Sequence, residues 1–143
     1  MKSSTVRLMI AAAALVVAAG TASAQTYKAE IPMAFRAAGK LMTPGSYEIR
    51  VSRNTATELV YVRNIEANSA VIVVAQMKAD PPKEWRKTSE PKVGFTCVGG
   101  ACNLSSLWDG SDISQYVFRS PKPPAGDLVA RTELVTLSMI RAH

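Results

Sequence analysis

The chain has 143 residues, of which 48% are hydrophobic and 20% are charged, and its formal net charge is +6. This length predicts one domain rather than several. The mild positive charge favours an ordinary secreted domain over a nucleic-acid or membrane binder.

Residues 1–24 have the pattern of a secretory signal peptide. Lys2 and Arg7 form a charged start, an apolar run follows over residues 8–19, and Ala22-Ser23-Ala24 forms a small-residue cleavage site before Gln25. The alternative is a membrane anchor, but the apolar run is too short to span a bilayer comfortably. We therefore expect a single β-rich domain over residues 25–143 in the periplasm or outside the cell. It would have a net charge of +4 once Lys2 and Arg7 are removed, and no membrane span.

Short runs of alternating apolar and polar residues follow, with turn signals between them. Residues 25–30 are predicted to be a polar lead-in. Strands are predicted at residues 31–36, 47–52, 58–63, 69–76, 92–97, 102–109, 116–119 and 134–140. The pattern predicts an all-β fold, an antiparallel β-sandwich or small β-barrel of about seven to eight short strands.

Three details of this pattern are specific. Tyr47, Ile49 and Val51 share one face and are expected in the core. Gly39 suits a backbone position with positive φ. Leu104 and Leu107 break strict alternation, which indicates a bulge near Ser105 and Ser106.

Two segments are less regular. Residues 77–91 combine prolines with mixed charges and are predicted to be an exposed loop, whose Trp85 folds back as a lid on the core or contacts a ligand. Residues 120–127 are predicted to be a second loop. A C-terminal helix from Leu128 is the alternative to the last strand, because Leu128, Arg131 and Val135 also fit helical spacing.

Cys97 and Cys102 are the only cysteines, and they flank a turn that contains Gly99 and Gly100. Opposed positions on a hairpin bring Cβ atoms within bonding reach, and export favours oxidation, so a structural disulfide is predicted. A redox pair is the rival, but a hairpin lacks the helix end that lowers a thiol pKa.

The sequence offers little for catalysis. The one histidine is His143, so neither a hydrolytic triad nor a zinc site is expected, and no cofactor motif is present. Asp109 and Asp112 are the one acidic pair that a carboxylate-dependent hydrolase would use, although two acids in a Gly-Ser loop are usually a solvated turn. We predict no catalytic residue, metal or cofactor.

Aromatic residues of the second half are the remaining candidates for binding. Trp85, Trp108 and Tyr116 are the predicted ligand contacts, because aromatic faces on a β-sandwich stack on sugars or pack on proteins. The alternative is that these rings, like Phe118, fill the core.

The opening stretch resembles a family of small secreted bacterial proteins of unknown function. The residues that carry the resemblance are Pro32, Phe35, Gly39, Pro44, Tyr47 and Ile49, together with the later run Leu104-Ser-Ser-Leu-Trp108. Gly45 follows Pro44 directly, where the family more often has Pro-Ala-Gly. The resemblance implies a secreted β-rich domain and supplies no activity.

We therefore expect an exported, non-enzymatic module that binds or covers an envelope glycan or protein. A carboxylate-dependent hydrolase of envelope polymers is one alternative. A carrier of small apolar ligands is another, if the sheet closes around a cavity.

Overall fold

The computed structural model describes residues 25–52, 58–110, 114–119 and 132–142. Over these ranges the chain forms eleven strands and one short helix. The elements are β1 (Gln25–Ile31), β2 (Phe35–Ala37), β3 (Lys40–Met42), β4 (Gly45–Ser52), β5 (Leu59–Asn64), β6 (Ser69–Ala79), α1 (Lys83–Thr88), β7 (Lys92–Val98), β8 (Ala101–Trp108), β9 (Gln115–Phe118), β10 (Thr132–Ser138) and β11 (Ile140–Arg141). The all-β prediction is confirmed. The strand number exceeds the seven or eight expected.

One source of the difference is the start of the domain, where the predicted polar lead-in is wrong. Residues 25–30 belong to β1, which pairs with β4 from Gln25 opposite Val51 to Ile31 opposite Gly45. Tyr27 and Ala29 are buried in alternation with exposed Lys28 and Glu30. Residues 25–30 therefore alternate between buried and exposed positions as a strand requires, although most of them are polar.

The other extra strands arise from interruptions. The strand predicted at residues 31–36 is broken, so that β1 ends at Ile31 and β2 starts at Phe35. β2 and β3 form a tight hairpin through Ala38 and Gly39, whose φ angles are 49° and 79°. Positive φ at both central residues is what such a two-residue turn requires, and it confirms the prediction for Gly39.

All eleven strands belong to one mixed sheet that is not closed, with the order β10-β7-β8-β9-β6-β5-β4-β1-β11 and the β2–β3 hairpin attached to β8. β6 takes part in both halves of the sheet. Its first residues pair with β5 and its last with β9, and the register shifts between Ala75 and Met77. The sheet folds over on itself as a sandwich.

The core lies between the two halves. Phe35 of β2 contacts Tyr47 of β4 and Phe95 of β7 edge to face, with ring centroids 5.2 Å apart in both pairs. Tyr47, Ile49 and Val51 are at most 1% exposed, which confirms the predicted core face.

The C-terminal segment supplies strands to both ends of the sheet. β10 pairs with β7, and β11 pairs with β1, with Met139 between them. The predicted closing strand is confirmed, and the helical alternative is wrong over Thr132–Ser138. Leu128 lies outside the described residues, as do the predicted signal peptide and the loop at residues 120–127.

The loop predicted at residues 77–91 is shorter than expected, because β6 runs to Ala79 and α1 fills Lys83–Thr88. Glu84 in the first turn and Arg86 and Lys87 in the last turn match the helix dipole. The described part of the chain contains no helix with the length and apolar character needed to cross a membrane.

Candidate binding groove

The hairpin of β7 and β8 forms the floor of the candidate site. Cys97 and Cys102 face each other directly in its register, their Cα atoms are 4.0 Å apart, and a disulfide joins them. The predicted bridge is confirmed. It closes the tip of the hairpin, where it contributes to the core rather than to the groove described below.

The predicted bulge is also confirmed, at Ser105. Gly94 pairs with Ser106 and Phe95 pairs with Leu104, so Ser105 has no opposite residue. Its Oγ donates a hydrogen bond to the carbonyl of Gly94 at 3.1 Å. The extra residue lets Leu104 and Leu107 both face the core.

Helix α1 lies on the outer face of this hairpin, opposite the core. Its Trp85 stacks on Trp108 of β8, with ring centroids 6.4 Å apart and planes inclined by 28°. The two rings are 8% and 3% exposed, yet neither belongs to the main core cluster. Trp85 therefore folds back as predicted, but it covers the outside of the sheet rather than the core.

Two glycines allow this helix to sit so close. A Cβ at Gly94 would collide with Oγ of Ser106 and approach the Trp85 ring to 3.4 Å. A Cβ at Gly110, where φ is +86°, would lie 2.8 Å from the carbonyl oxygen of Ser89. Gly110 needs glycine because backbone atoms occupy the space of a side chain and its φ is positive. At Gly94, the hydroxyl of Ser106 would have to turn away to admit a Cβ.

A groove of about 570 Å³ opens between α1 and the outer face of β7, β8 and β10. This volume falls within the usual range of small-molecule sites. Its apolar lining comes from Pro82, Trp85 and Leu134, and its polar lining comes from Glu84, Lys92, Ser105, Ser106, Gln115 and Thr136. Phe95 and Val135 also border the groove, although Phe95 belongs to the core cluster and Val135 packs against it. The groove thus offers both an apolar wall and hydrogen-bonding groups.

Gln115, at the start of β9, has the one unusual polar atom of this lining. Its Nε2 donates to the carbonyl of Asp80 at 3.1 Å. Its Oε1 is shielded from solvent and accepts no hydrogen bond from the described residues. A buried acceptor without a donor costs about 1–3 kcal/mol, so a ligand donor that reaches this oxygen would relieve that cost.

The three predicted ligand contacts occupy different positions. Trp85 lines the groove, whereas Trp108 lies behind it and does not. Tyr116 is 3% exposed in the main core, with Nζ of Lys78 5.8 Å from its ring centroid. A ligand contact by any of the three stays a prediction, and Trp85 is the best placed.

The acidic pair is not assembled in the part of the chain that can be described. Asp109 is 1% exposed, and its backbone carbonyl accepts a hydrogen bond from Nη2 of Arg141 at 3.1 Å. It does not line the groove. Asp112 lies outside the described residues. Those residues include no cluster of three or more His, Cys, Asp or Glu side chains that could hold a metal ion.

Sequence reasoning missed Gly94, Ser105 and Gln115 as parts of a site. Gln115 has no local signal, since a glutamine at the start of a strand is ordinary. Ser105 was recognised only as a bulge. These residues converge because α1 docks on the outer face, and that depends on tertiary contact.

Comparison with known protein families, curated proteins and solved structures finds no match to this chain. The resemblance to small secreted bacterial proteins therefore stays a prediction.

Proposed function

We propose that this protein is an exported, non-enzymatic binding module of the periplasm or extracellular space, and that it binds an envelope glycan in the groove beside Trp85. The observation that carries the proposal is the groove itself, with its volume of about 570 Å³ and its mixed lining. The disulfide is compatible with an oxidising compartment.

The lining suits a sugar that carries an acetamido group. The methyl of such a group fits an apolar wall such as Trp85 and Leu134, and its N–H is a donor for Oε1 of Gln115. Turning the soft terminal torsion of Gln115 brings Oε1 toward a bound donor, in exchange for the Nε2 hydrogen bond to the carbonyl of Asp80. Ring hydroxyls are partners for Ser106 and Thr136, which also line the groove.

Titration calorimetry with the trisaccharide of N-acetylglucosamine tests this proposal, with maltotriose as the ligand that lacks acetamido groups. We expect the acetamido sugar to bind and maltotriose to bind about tenfold more weakly, as the loss of one buried hydrogen bond implies. Gln115→Leu removes the acceptor and should abolish the difference. Gln76→Leu is the matched control, because Gln76 is exposed and lies outside the groove.

Two results would contradict the proposal. One is equal binding of both sugars by the wild type. The other is cleavage of the acetamido trisaccharide that disappears when Asp109→Asn is combined with Asp112→Asn, because hydrolysis needs a placed carboxyl group. Trp85→Phe, checked by circular dichroism, should weaken sugar binding without loss of the fold.

A further inference from the structure

A second cavity, of about 320 Å³, lies where the β2–β3 hairpin meets β6 and the end of β9. One edge of β8 explains its position. That edge pairs with β2 at Asn103 and with β9 at Ser106 and Leu107. β2 and β9 thus use successive parts of the same edge, which brings Arg36 and Arg119 to one cavity although they are far apart in the chain.

Neither of these two arginines has a carboxylate within 4 Å among the described residues. Four basic side chains lie within 4 Å of a carboxylate, in the pairs Arg50–Glu48, Lys78–Glu58, Arg86–Asp80 and Lys92–Glu90. Arg36 has only a 3.5 Å hydrogen bond to the carbonyl of Gly39. No Asp or Glu lines the cavity in the described ranges. Two unneutralised cations at one cavity favour the entry of an anion.

The remaining lining is amide and aliphatic. Gln76 and Asn103 add hydrogen-bonding groups, and Ile72 and Val74 add an apolar wall. Ile72 and Val74 are 51% and 49% exposed, so this wall is open to a ligand. A bare inorganic anion would leave the apolar wall in water, and a neutral hydrocarbon would leave both guanidinium groups unpaired.

We propose that this cavity binds a small organic anion, a carboxylate on an aliphatic body. Arg36 and Arg119 pair with the carboxylate, because guanidinium groups match its geometry in bidentate hydrogen bonds. The aliphatic body covers Ile72 and Val74. A volume of about 320 Å³ suits a ligand at the small end of the usual range.

Titration calorimetry with octanoate tests the site, with 1-octanol and acetate as probes that keep only the chain or only the charge. We expect octanoate to bind at least about tenfold more tightly than either, since a hydrogen bond to a charged group is worth that factor or more. Combined Arg36→Gln and Arg119→Gln should remove this advantage. Arg50→Gln with Arg63→Gln is the matched control, because it removes the same charge from exposed strand residues outside the cavity.

Octanol binding as tight as octanoate binding would overturn the proposal, and so would an equal loss of affinity in the control variant. Adsorption to vesicles of phosphatidylglycerol without octanoate binding would also overturn it in favour of a membrane surface. Trp85→Phe should bind octanoate like the wild type. The octanoate experiment therefore tests this cavity independently of the sugar groove.

Discussion

Tyr47 shows how one side chain connects a strand to the turn before it. The ring is fully buried, and its hydroxyl donates a hydrogen bond to the carbonyl of Thr43. Nδ2 of Asn64 donates to Oγ1 of the same Thr43 at 3.3 Å. Burial raises the pKa of the Tyr47 phenol above its usual value, and hydrogen bonds with Asn64 and Thr43 offset part of that rise.

This raised pKa predicts a specific loss of stability in alkali. The phenol ionises in the unfolded chain near pH ~10 and in the folded chain only at higher pH. Its contribution to stability is therefore fully present below about pH 10 and is lost as the pH rises toward the folded pKa. The difference in unfolding free energy between wild type and Tyr47→Phe should be constant at neutral pH and should shrink above pH ~10.

Urea unfolding between pH ~8 and ~11 measures that difference. Tyr61→Phe is the matched control, because Tyr61 is 38% exposed on β5. The control should follow the wild type throughout the range. If the difference in unfolding free energy between wild type and Tyr47→Phe is unchanged at pH ~11, ionisation of the buried phenol does not cause the loss of stability in alkali.

At the residue scale, the sequence predicts burial better than it predicts hydrogen bonding. The alternation of Tyr47, Ile49 and Val51 was sufficient to place all three in the core. Nothing local marks Asn64, which is 1% exposed and accepts hydrogen bonds from the backbone N–H groups of Glu66 and Ala67. A polar residue at the end of a strand is usually exposed, and this one is satisfied by the turn that follows it together with Thr43.

At the element scale, the hairpin of β7 and β8 was predictable in detail. Glycines mark its turn, the cysteines mark its register, and the spacing of Leu104 and Leu107 marks its bulge. Helix α1 was not predictable, because six residues give too short a period to detect. Its docking depends on contacts with Gly94 and Trp108 of the β7–β8 hairpin, which the sequence of the helix itself does not indicate. The groove depends on α1, so its position could not be predicted either.

The disulfide should stabilise this hairpin modestly. Combined Cys97→Ala and Cys102→Ala should lower the unfolding free energy by about 2 kcal/mol, because a short loop constrains the unfolded chain only a little. Urea unfolding monitored by circular dichroism measures the loss, and the domain should remain folded. Reduction of the wild type should give a loss of similar size. A reduced wild type as stable as the oxidised protein would contradict this expectation.

At the scale of the whole molecule, the strand order begins on β10 and ends on β11, two neighbours in the chain. Backbone hydrogen bonds anchor the chain just before and just after β11. The N–H of Met139 donates to the carbonyl of Pro91 at 2.8 Å, and the N–H of Ala142 donates to the carbonyl of Thr26 at 2.9 Å. Periodicity predicted this strand but not its division, because Met139 fits the same apolar run.

Met139 should matter far more than its neighbour. It is 3% exposed and belongs to the main core, whereas Ile140 is 73% exposed. Met139→Ala should lower the unfolding free energy by about 2–5 kcal/mol, because it leaves a cavity. Ile140→Ala is the control and should change it by less than about 0.5 kcal/mol. Equal losses of unfolding free energy in Met139→Ala and Ile140→Ala would show that this segment stabilises the fold through its backbone hydrogen bonds alone.

The position of β10 and β11 also bears on how the chain is made. Synthesis proceeds from the N-terminus, so the edges of β1 and β7 exist before the strands that pair with them. Until β10 and β11 are free to pair, those edges are unsatisfied templates that can join other chains. A nascent chain of this protein should therefore depend on a factor that covers both edges until β10 and β11 pair with them.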